Sequence, residues 1–205
     1  MNLLILGATG KTGSESLDLA LDHGHRVTAF VRSPHKIGRQ HARLTVAAGD
    51  ARDTDRLSAA MAGQDAILSA LGQPPRQTLR PSTFMAECAA STVAAMKRSG
   101  VPRLAILSAA VLFPGTGLRI AFFRWLLANH ARDLVAMETI VKATDFEWTI
   151  ARPPRLVPSP SETYRSQVGA LPDGGFTASF RAVAAFMLTA IERRSFLSQV
   201  VGISS

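Results

Sequence analysis

Residues 2–13 read NLLILGATGKTG, and this stretch decides the fold. Its start, residues 2–6, is apolar like a strand that is buried on both faces of a parallel sheet. Three glycines follow at G-x-x-G-x-x-G spacing, directly before a stretch with helical periodicity. A buried strand, a glycine-rich turn and a helix in this order are typical of a dinucleotide-binding βαβ unit, although most dehydrogenases have G-x-G-x-x-G spacing.

Each glycine of this turn has a physical reason to be there. Gly7 permits a tight turn out of the strand, Gly10 lets the backbone approach a pyrophosphate, and Gly13 lets the helix pack closely on the strand. Free N–H groups at the start of the helix would then face the anionic diphosphate. We therefore expect the whole turn to bind a cofactor: Gly7, Ala8, Thr9, Gly10, Lys11, Thr12 and Gly13. The alternative is an ordinary glycine-rich turn without a ligand.

Strand and helix patterns alternate along the 205 residues. Strands are predicted at 2–6, 25–31, 44–48, 66–70, 104–107, 148–151 and 200–203, and helices at 12–23, 53–61, 81–99, 118–143 and 179–193. This order predicts an α/β fold: a single Rossmann-type domain over residues 1–205, with a doubly wound parallel sheet and helices on both faces. Ligands bind at the carboxyl ends of such strands. The substrate side is therefore expected in residues 71–80, 109–130 and 153–178, the last read as a long proline-rich loop.

Composition excludes several classes of protein. Apolar residues make up 47% of the chain, which excludes a disordered tail. Cys88 is the only cysteine, so a disulfide framework and a cysteine-based zinc cluster are excluded. The N-terminal stretch lacks the basic region of a signal peptide, and residues 112–128 contain prolines, glycines and arginines that make a poor membrane span. These features predict a cytoplasmic protein without a membrane partner.

The net charge of +8 is concentrated in one part of the chain. Residues 71–132 contain eight Lys and Arg residues against one acidic residue, Glu87. A solvated basic surface is one interpretation, and attraction of an anionic small-molecule acceptor is the other. No nucleic-acid partner is expected, because no nucleic-acid-binding motif accompanies the charge.

The ends of strands two to four indicate which cofactor is bound. Arg32 and Lys36 follow strand two, where an acidic residue would favour NADH, so both can face a 2′-phosphate. We expect NADP as the cofactor, with NADPH preferred over NADH; two solvated surface cations are the alternative. Asp50 is placed to accept a hydrogen bond from the adenine amino group, with Ala51 beside the ring, or else to cap the next helix. Small residues follow strand four where the backbone would pass the ribose: Ala70, Leu71 and Gly72.

Taken together, these motifs resemble the atypical short-chain dehydrogenase/reductase superfamily. The resemblance rests on the glycine turn, VRSPHK at 31–36, the stretch 65–72, Leu107-Ser108 and FEWTIARPP at 146–154. Within the superfamily, the chain is similar to the NAD(P)H-binding, NmrA-like group that includes biliverdin reductase B, a flavin reductase. The resemblance implies that Pro153 and Pro154 line the nicotinamide side and that Ser108 lies near both nicotinamide and substrate.

One difference from most members of the superfamily limits the reactions that this protein is expected to catalyse. Most of its dehydrogenases use a Tyr-x-x-x-Lys pair, in which the lysine lowers the tyrosine pKa for proton exchange with a substrate hydroxyl. The only tyrosine here is Tyr164, with Val168 four residues later. We therefore expect a reductase that passes hydride from NADPH to a small conjugated acceptor, such as a flavin or quinone, which takes its proton from solvent. The alternative is an NmrA-like redox sensor that binds the dinucleotide without turnover.

Four side chains are candidates for the substrate side. Ser108 could bond a substrate oxygen or the cofactor carboxamide, or merely cap a strand end. Trp125 could form an apolar wall for a planar acceptor, although its helical spacing also fits a core residue. His130 could relay a proton, but a surface or capping role is favoured. Arg155 could hold an anionic acceptor or form a loop salt bridge.

The histidines predict no metal site. His23, His25, His35 and His41 show no metal-ligand grouping along the sequence. The oligomeric state and the identity of the acceptor stay open.

Overall fold

The computed structural model describes residues 1–73, 79–114 and 126–205. These ranges contain ten strands: β1 (Asn2–Leu6), β2 (Arg26–Val31), β3 (Leu44–Ala48), β4 (Ala66–Ser69), β5 (Arg103–Leu107), β6 (Glu147–Arg152), β7 (Arg155–Val157), β8 (Arg165–Val168), β9 (Thr177–Ser179) and β10 (Gln199–Ser204). They also contain five α-helices: α1 (Lys11–Asp22), α2 (Thr54–Met61), α3 (Phe84–Ser99), α4 (Ala128–Lys142) and α5 (Phe180–Arg193).

Eight of the strands form one sheet, in the order β3-β2-β1-β4-β5-β6-β10-β8. Neighbouring strands pair in parallel except at the β10–β8 edge, which is antiparallel. The strand order reverses between β1 and β4, so the ends of these two strands flank the crevice of a doubly wound sheet. The predicted α/β, Rossmann-type fold is confirmed, and all seven predicted strands are present.

Helices cover both faces of this sheet. On one face, α1 and α5 pack apolar side chains such as Leu17 and Phe186 against the buried side of the strands. On the other face, α2, α3 and α4 contribute Leu57, Met96 and Met137. The apolar run of β1 is explained by this arrangement, because Leu3 and Leu4 alternate between the two cores and neither is exposed.

The proline-rich segment 153–178 differs from its prediction as a loop. It contains β7, β8 and part of β9, and β7 pairs in parallel with β9 through the register Arg155↔Thr177 to Val157↔Ser179. The prolines of this segment, Pro153, Pro154, Pro158, Pro160 and Pro172, all lie outside the strands, where a missing N–H costs no ladder hydrogen bond.

The start of α3 also differs from its prediction. The helix begins at Phe84 and not at Pro81, because its first amide groups are held by a distant residue. The backbone N–H groups of Met85 and Ala86 donate to the carboxylate of Asp133 in α4, over 3.1 and 3.0 Å. For the predicted helix 118–143, the structure describes α4, while residues 115–125 lie outside the described residues.

Within the described ranges, none of the helices has both the length and the apolar character that crossing a bilayer requires.

Candidate functional site

The turn after β1 is built from glycines because its backbone is tightly packed. Gly7 has a φ of +81°, and a Cβ there would lie 2.7 Å from the carbonyl oxygen of Ala70. A Cβ on Gly13 would lie 2.0 Å from the carbonyl oxygen of Gly7, so Gly13 is required by the turn itself and not by the strand. The same carbonyl oxygen accepts the N–H of Gly10 over 2.8 Å.

The first turn of α1 presents free hydrogen-bond donors. Gly10 is the N-cap and offers no side chain to cap the helix, and the first turn contains no acidic residue. Among the described residues, no acceptor is bonded to the backbone N–H of Lys11, Thr12 or Gly13. Three free N–H groups and the positive end of a helix form a site for an anion such as a diphosphate.

This turn opens onto a groove at the carboxyl ends of the strands. The residues that line the groove are Gly7, Thr9, Gly10, Phe30, Val31, Arg32, Gly49, Asp50, Ala51, Ala70, Leu71, Gly72 and Phe84. Nine residues predicted to bind the cofactor are in this set, and they lie in the segments that follow β1, β2, β3 and β4. The structure therefore brings together the predicted diphosphate, ribose and adenine segments.

Four residues of the predicted glycine turn lie off the groove lining. Ala8 is 1% exposed and packs in the core, and Thr12 and Gly13 are buried. The Nζ atom of Lys11 lies 5.2 Å from the centre of the Phe180 ring, so this side chain is directed toward α5. The backbone amides of residues 11–13 follow directly on Gly10, which lines the groove.

The cations predicted to recognise a 2′-phosphate are both exposed. Arg32 lines the groove at the end of β2. Lys36 ends a short 3-10 turn, Pro34–Lys36, and does not line the groove. Arg32 is therefore the cation that is placed at the groove.

The side chain of Asp50 is held by Arg52. Its Oδ1 accepts from the backbone N–H and Nε of Arg52 over 2.9 and 3.0 Å, and its Oδ2 accepts from Nη2 over 2.9 Å. These hydrogen bonds lower the pKa of Asp50 to about 2. The alternative prediction, that Asp50 caps α2, is wrong, because Asp53 is the N-cap and accepts from the N–H of Arg56.

Two aromatic residues that line the groove are not predicted by the sequence patterns. Phe30 fills the space beside Gly49, where a Cβ would lie 2.1 Å from the Phe30 ring. Phe84 is the first residue of α3, and the guanidinium carbon of Arg52 lies 5.8 Å from the centre of its ring. A phenylalanine in a strand or at a helix start is typical of a core residue, so the sequence did not indicate that either residue lines the groove. Gly49, next to Asp50, was the one visible hint.

Ser108 lies at the end of β5 and is 7% exposed. Its hydroxyl donates to Oε1 of Glu138 in α4 over 2.7 Å, and its N–H donates to the carbonyl of Ala151 over 2.8 Å. The hydroxyl proton is therefore committed to a carboxylate, while the oxygen can still accept a hydrogen bond. The proposed strand-end cap is not the role of this side chain, because its partner is a helix on another segment.

Glu138 is the centre of a buried ionic cluster. It is 2% exposed and accepts two hydrogen bonds from Arg152, over 2.8 and 2.6 Å, and one from Lys142 over 2.7 Å. Burial alone would raise the pKa of Glu138, but the hydrogen bonds from Arg152, Lys142 and Ser108 outweigh burial and hold the pKa below its ordinary value. Glu138 is thus a fixed anion and not a proton donor at neutral pH.

A backbone hydrogen bond joins the segments that follow β5 and β6, next to this ionic cluster. Pro153 is buried, and its carbonyl accepts the N–H of Ala110 over 2.9 Å; Pro154 is half-buried. Arg155 is exposed at the start of β7 and forms no salt bridge with any residue that the structure describes, so the predicted loop salt bridge is absent there. Pro153 and Ser108 therefore share one edge of the sheet with the groove.

His130 lies inside the first turn of α4, where Leu127 is the N-cap. The residue is half-buried, and its Nδ1 has no hydrogen-bond partner among the described residues. Burial lowers the pKa of His130, against a smaller opposite effect of Asp133. The Nδ1 atom of His130 therefore caps none of the described backbone groups. Trp125 lies outside the described residues.

A polar contact links this part of α4 to the groove. Asp133 is 3% exposed and accepts a hydrogen bond from the amide of Gln73 over 3.1 Å. Gln73 directly follows Gly72 of the groove lining, and its Oε1 is buried without a described partner. Two polar atoms, on Gln73 and His130, thus lie on the predicted substrate side without a hydrogen-bond partner in the described part of the chain.

Tyr164 is engaged in packing. Its ring meets Phe186 of α5 edge to face, with 5.5 Å between ring centres, and it packs against the core on that face of the sheet.

Comparison with known proteins agrees with this site. A family described as NAD(P)H-binding matches residues 7–194. A Rossmann-fold NAD(P)-binding family protein from Shigella flexneri is 26% identical, with a TM-score of 0.76 over 100% of this chain and 93% of that one.

Two further solved structures share the fold. ChuY, an anaerobilin reductase from Escherichia coli O157:H7, is 20% identical, with a TM-score of 0.76 over 100% of this chain and 97% of its own. A short-chain dehydrogenase/reductase from Veillonella parvula in complex with NADP is 19% identical, with a TM-score of 0.77 over 100% and 94%. The resemblance drawn from the sequence motifs is confirmed: this chain belongs to the NAD(P)H-binding family.

Proposed function

We propose that this protein is a reductase that binds NADPH in preference to NADH and passes a hydride to a small conjugated acceptor, such as a flavin or quinone. The observation that carries the proposal is the groove. The free amide groups at the start of α1 follow directly on Gly10, which lines one part of the groove, and the exposed Arg32 lines another. Membership in the NAD(P)H-binding family supports the same cofactor class.

The preference for NADPH rests on the charges at the end of β2. Arg32 lies where a dehydrogenase that uses NADH commonly has a carboxylate. The carboxylate on the groove lining is Asp50, and its oxygens are already bonded to Arg52. Arg32 is thus available to a 2′-phosphate, with Lys36 adding charge nearby.

NADPH supplies the hydride, so the chain's own residues need only position the reactants. Ser108 can accept a hydrogen bond from a carboxamide or an acceptor N–H, while Glu138 fixes the direction of its hydroxyl. Glu138 is ionised and Tyr164 packs against Phe186, so neither is proposed as a proton donor. An acceptor that takes its proton from water suits this arrangement, since hydride plus one solvent proton completes a two-electron reduction.

A planar acceptor with N–H groups fits the substrate side. Oε1 of Gln73 can only accept hydrogen bonds, and Nδ1 of His130 can accept one when the imidazole is neutral. The lowered pKa of His130 favours that neutral form. The excess of basic residues in 71–132 would attract an acceptor that also carries negative charge.

Equilibrium binding and turnover together test the proposal. Calorimetric titration with NADPH and NADH should give a markedly lower Kd for NADPH, and consumption of NADPH should accelerate with at least one member of a flavin and quinone panel. Equal affinities would contradict the cofactor preference. Tight NADPH binding without consumption by any acceptor would instead indicate a redox sensor.

A further inference from the structure

Three metal-ligating side chains meet at the opposite edge of the sheet from the groove. His23 follows α1, His25 precedes β2, and Glu192 lies in the last turn of α5. Six residues of β2 separate His25 from Arg32, which is roughly 20 Å along an extended strand. This cluster is therefore separate from the cofactor groove.

The three side chains converge on one point. Nδ1 of His23 lies 2.8 Å from Oε1 of Glu192, and Nε2 of His25 lies 2.6 Å from the same oxygen. With one ligand atom taken from each residue, the three atoms all lie within 4.8 Å of one another. Gly24 between the histidines has a φ of +88°, a turn that lets both rings face the carboxylate.

The cluster combines a fixed part with an adaptable part. His25 is 9% exposed, and its other ring nitrogen, Nδ1, lies 3.3 Å from the amino nitrogen of Met1, so contacts on both sides hold the ring. The side chain of His23 is 42% exposed and has room to move. Ligands of tetrahedral zinc lie about 3.3 Å apart, given bonds of about 2.0–2.1 Å. To reach that geometry, the two contacts to Glu192 would lengthen by about 0.5–0.7 Å, and the widest separation would shorten by up to about 1.5 Å.

We propose that His23, His25 and Glu192 bind one divalent transition-metal ion, with Zn²⁺ as the best fit. Two imidazoles and a carboxylate are the donor set that Zn²⁺ accepts, whereas Mg²⁺ and Ca²⁺ prefer oxygen ligands alone. Three protein ligands leave a fourth position, which opens toward solvent beside the exposed His23.

A metal here would act as a cross-link in the native fold. It would tie the α1–β2 turn to the end of α5, two segments that are 167 residues apart in the chain but belong to one face of the sheet. Since the unfolded chain does not hold these three ligands together, binding would stabilise the folded state. The sequence shows only the His-x-His pair, because the carboxylate comes from the far end of the chain.

The test uses the untagged protein after treatment with a chelator and dialysis, at about pH 8, where ordinary imidazoles are neutral. Zn²⁺ is titrated in competition with a chromophoric chelator, and the melting temperature is recorded with and without Zn²⁺. We expect one ion per chain and a rise in Tm of about 5–10 °C at a free Zn²⁺ concentration about 100-fold above Kd. Mg²⁺ should produce no shift.

Single substitutions test which side chains bind the Zn²⁺ ion. His23→Ala removes an exposed side chain and should weaken Zn²⁺ binding by more than about 100-fold without loss of the fold. Glu192→Gln should weaken it as well, and His35→Ala, an exposed histidine elsewhere, should bind Zn²⁺ like the wild type. Absence of saturable binding, or equal affinity in His23→Ala and the wild type, would overturn the assignment.

Discussion

The hydroxyl of Ser108 donates a hydrogen bond to Oε1 of Glu138 over 2.7 Å, and both side chains are buried. The pair joins the end of β5 to α4, beside the ends of the strands that form the groove. Arg152 and Lys142 hold the carboxylate from its other sides. The serine oxygen therefore has a fixed direction, and its remaining lone pairs are available to a bound partner.

Removal of the hydroxyl tests this positioning role. Ser108→Ala should lower kcat by about tenfold, the equivalent of about one hydrogen bond, while the Kd for NADPH changes by less than about threefold. Steady-state rates with the best acceptor and calorimetry provide the two readouts. Ser166→Ala, an exposed serine on β8, is the control. An unchanged kcat in Ser108→Ala would show that this residue does not position the reactants.

Glu138→Gln should destabilise the fold. The substitution leaves Arg152 and Lys142 without their shared carboxylate, and the loss of one partner from a buried ion pair costs about 3–5 kcal/mol. Urea denaturation measures the free energy of unfolding. Glu162→Gln, whose carboxylate is half-exposed beside Arg181, should cost less than about 1 kcal/mol. Equal stability of the two variants would show that the buried cluster does not contribute as described.

Acid should weaken the same cluster. The pKa of Glu138 is lowered from 4.5 in the folded state, so its contribution is present above that value and lost as the pH falls through the folded-state pKa. Asp50, with a pKa of about 2, acts in the same direction. The free energy of unfolding should therefore fall steadily below about pH 4.5, and less steeply in Glu138→Gln. A wild-type stability that rises on acidification would contradict these ionisation states.

Gly13→Ala tests the packing of the glycine turn. The added methyl group would lie 2.0 Å from the carbonyl oxygen of Gly7, so the turn must shift. We expect Tm to fall by about 3–10 °C and NADPH affinity to drop with it. Gly38→Ala is the matched control, because a Cβ there meets nothing within 4 Å. A wild-type Tm in Gly13→Ala would contradict the close approach.

Arg32→Ala tests the cofactor preference. The loss of a charged hydrogen bond to a phosphate costs about 1.5–3 kcal/mol, so the Kd for NADPH should rise by about 10- to 150-fold. The Kd for NADH should stay nearly unchanged. Arg56→Ala, an exposed arginine on α2 outside the groove lining, controls for net charge. Equal losses of NADPH and NADH affinity would mean that Arg32 does not recognise the 2′-phosphate.

The sequence was sufficient to predict the sheet and most of the groove. Short apolar runs such as NLLIL mark buried parallel strands, and the carboxyl ends of such strands must lie at one edge of the sheet. Local patterns thereby predict that Gly7, Arg32, Asp50 and Gly72 lie together, and the structure places them in one groove.

Contacts between distant segments could not be predicted in this way. Asp133 caps α3 from another helix, Glu138 binds Ser108 from 30 residues away, and Glu192 completes the His23–His25 cluster. None of these pairs has a local spacing rule, because each depends on how helices pack on the finished sheet. The strands β7, β8 and β9 were missed for a similar reason: they are three or four residues long and are separated by prolines.

The most direct test of the proposed activity is an anaerobic single-turnover reaction. Protein saturated with NADPH is mixed with flavin or quinone, and the absorbance of the reduced nicotinamide is followed, with the deuterated hydride position as a comparison. We predict oxidation of the bound NADPH that the protein accelerates, with a primary isotope effect on the rate. NADPH that stays reduced in the presence of every acceptor would contradict hydride transfer as the function of this groove.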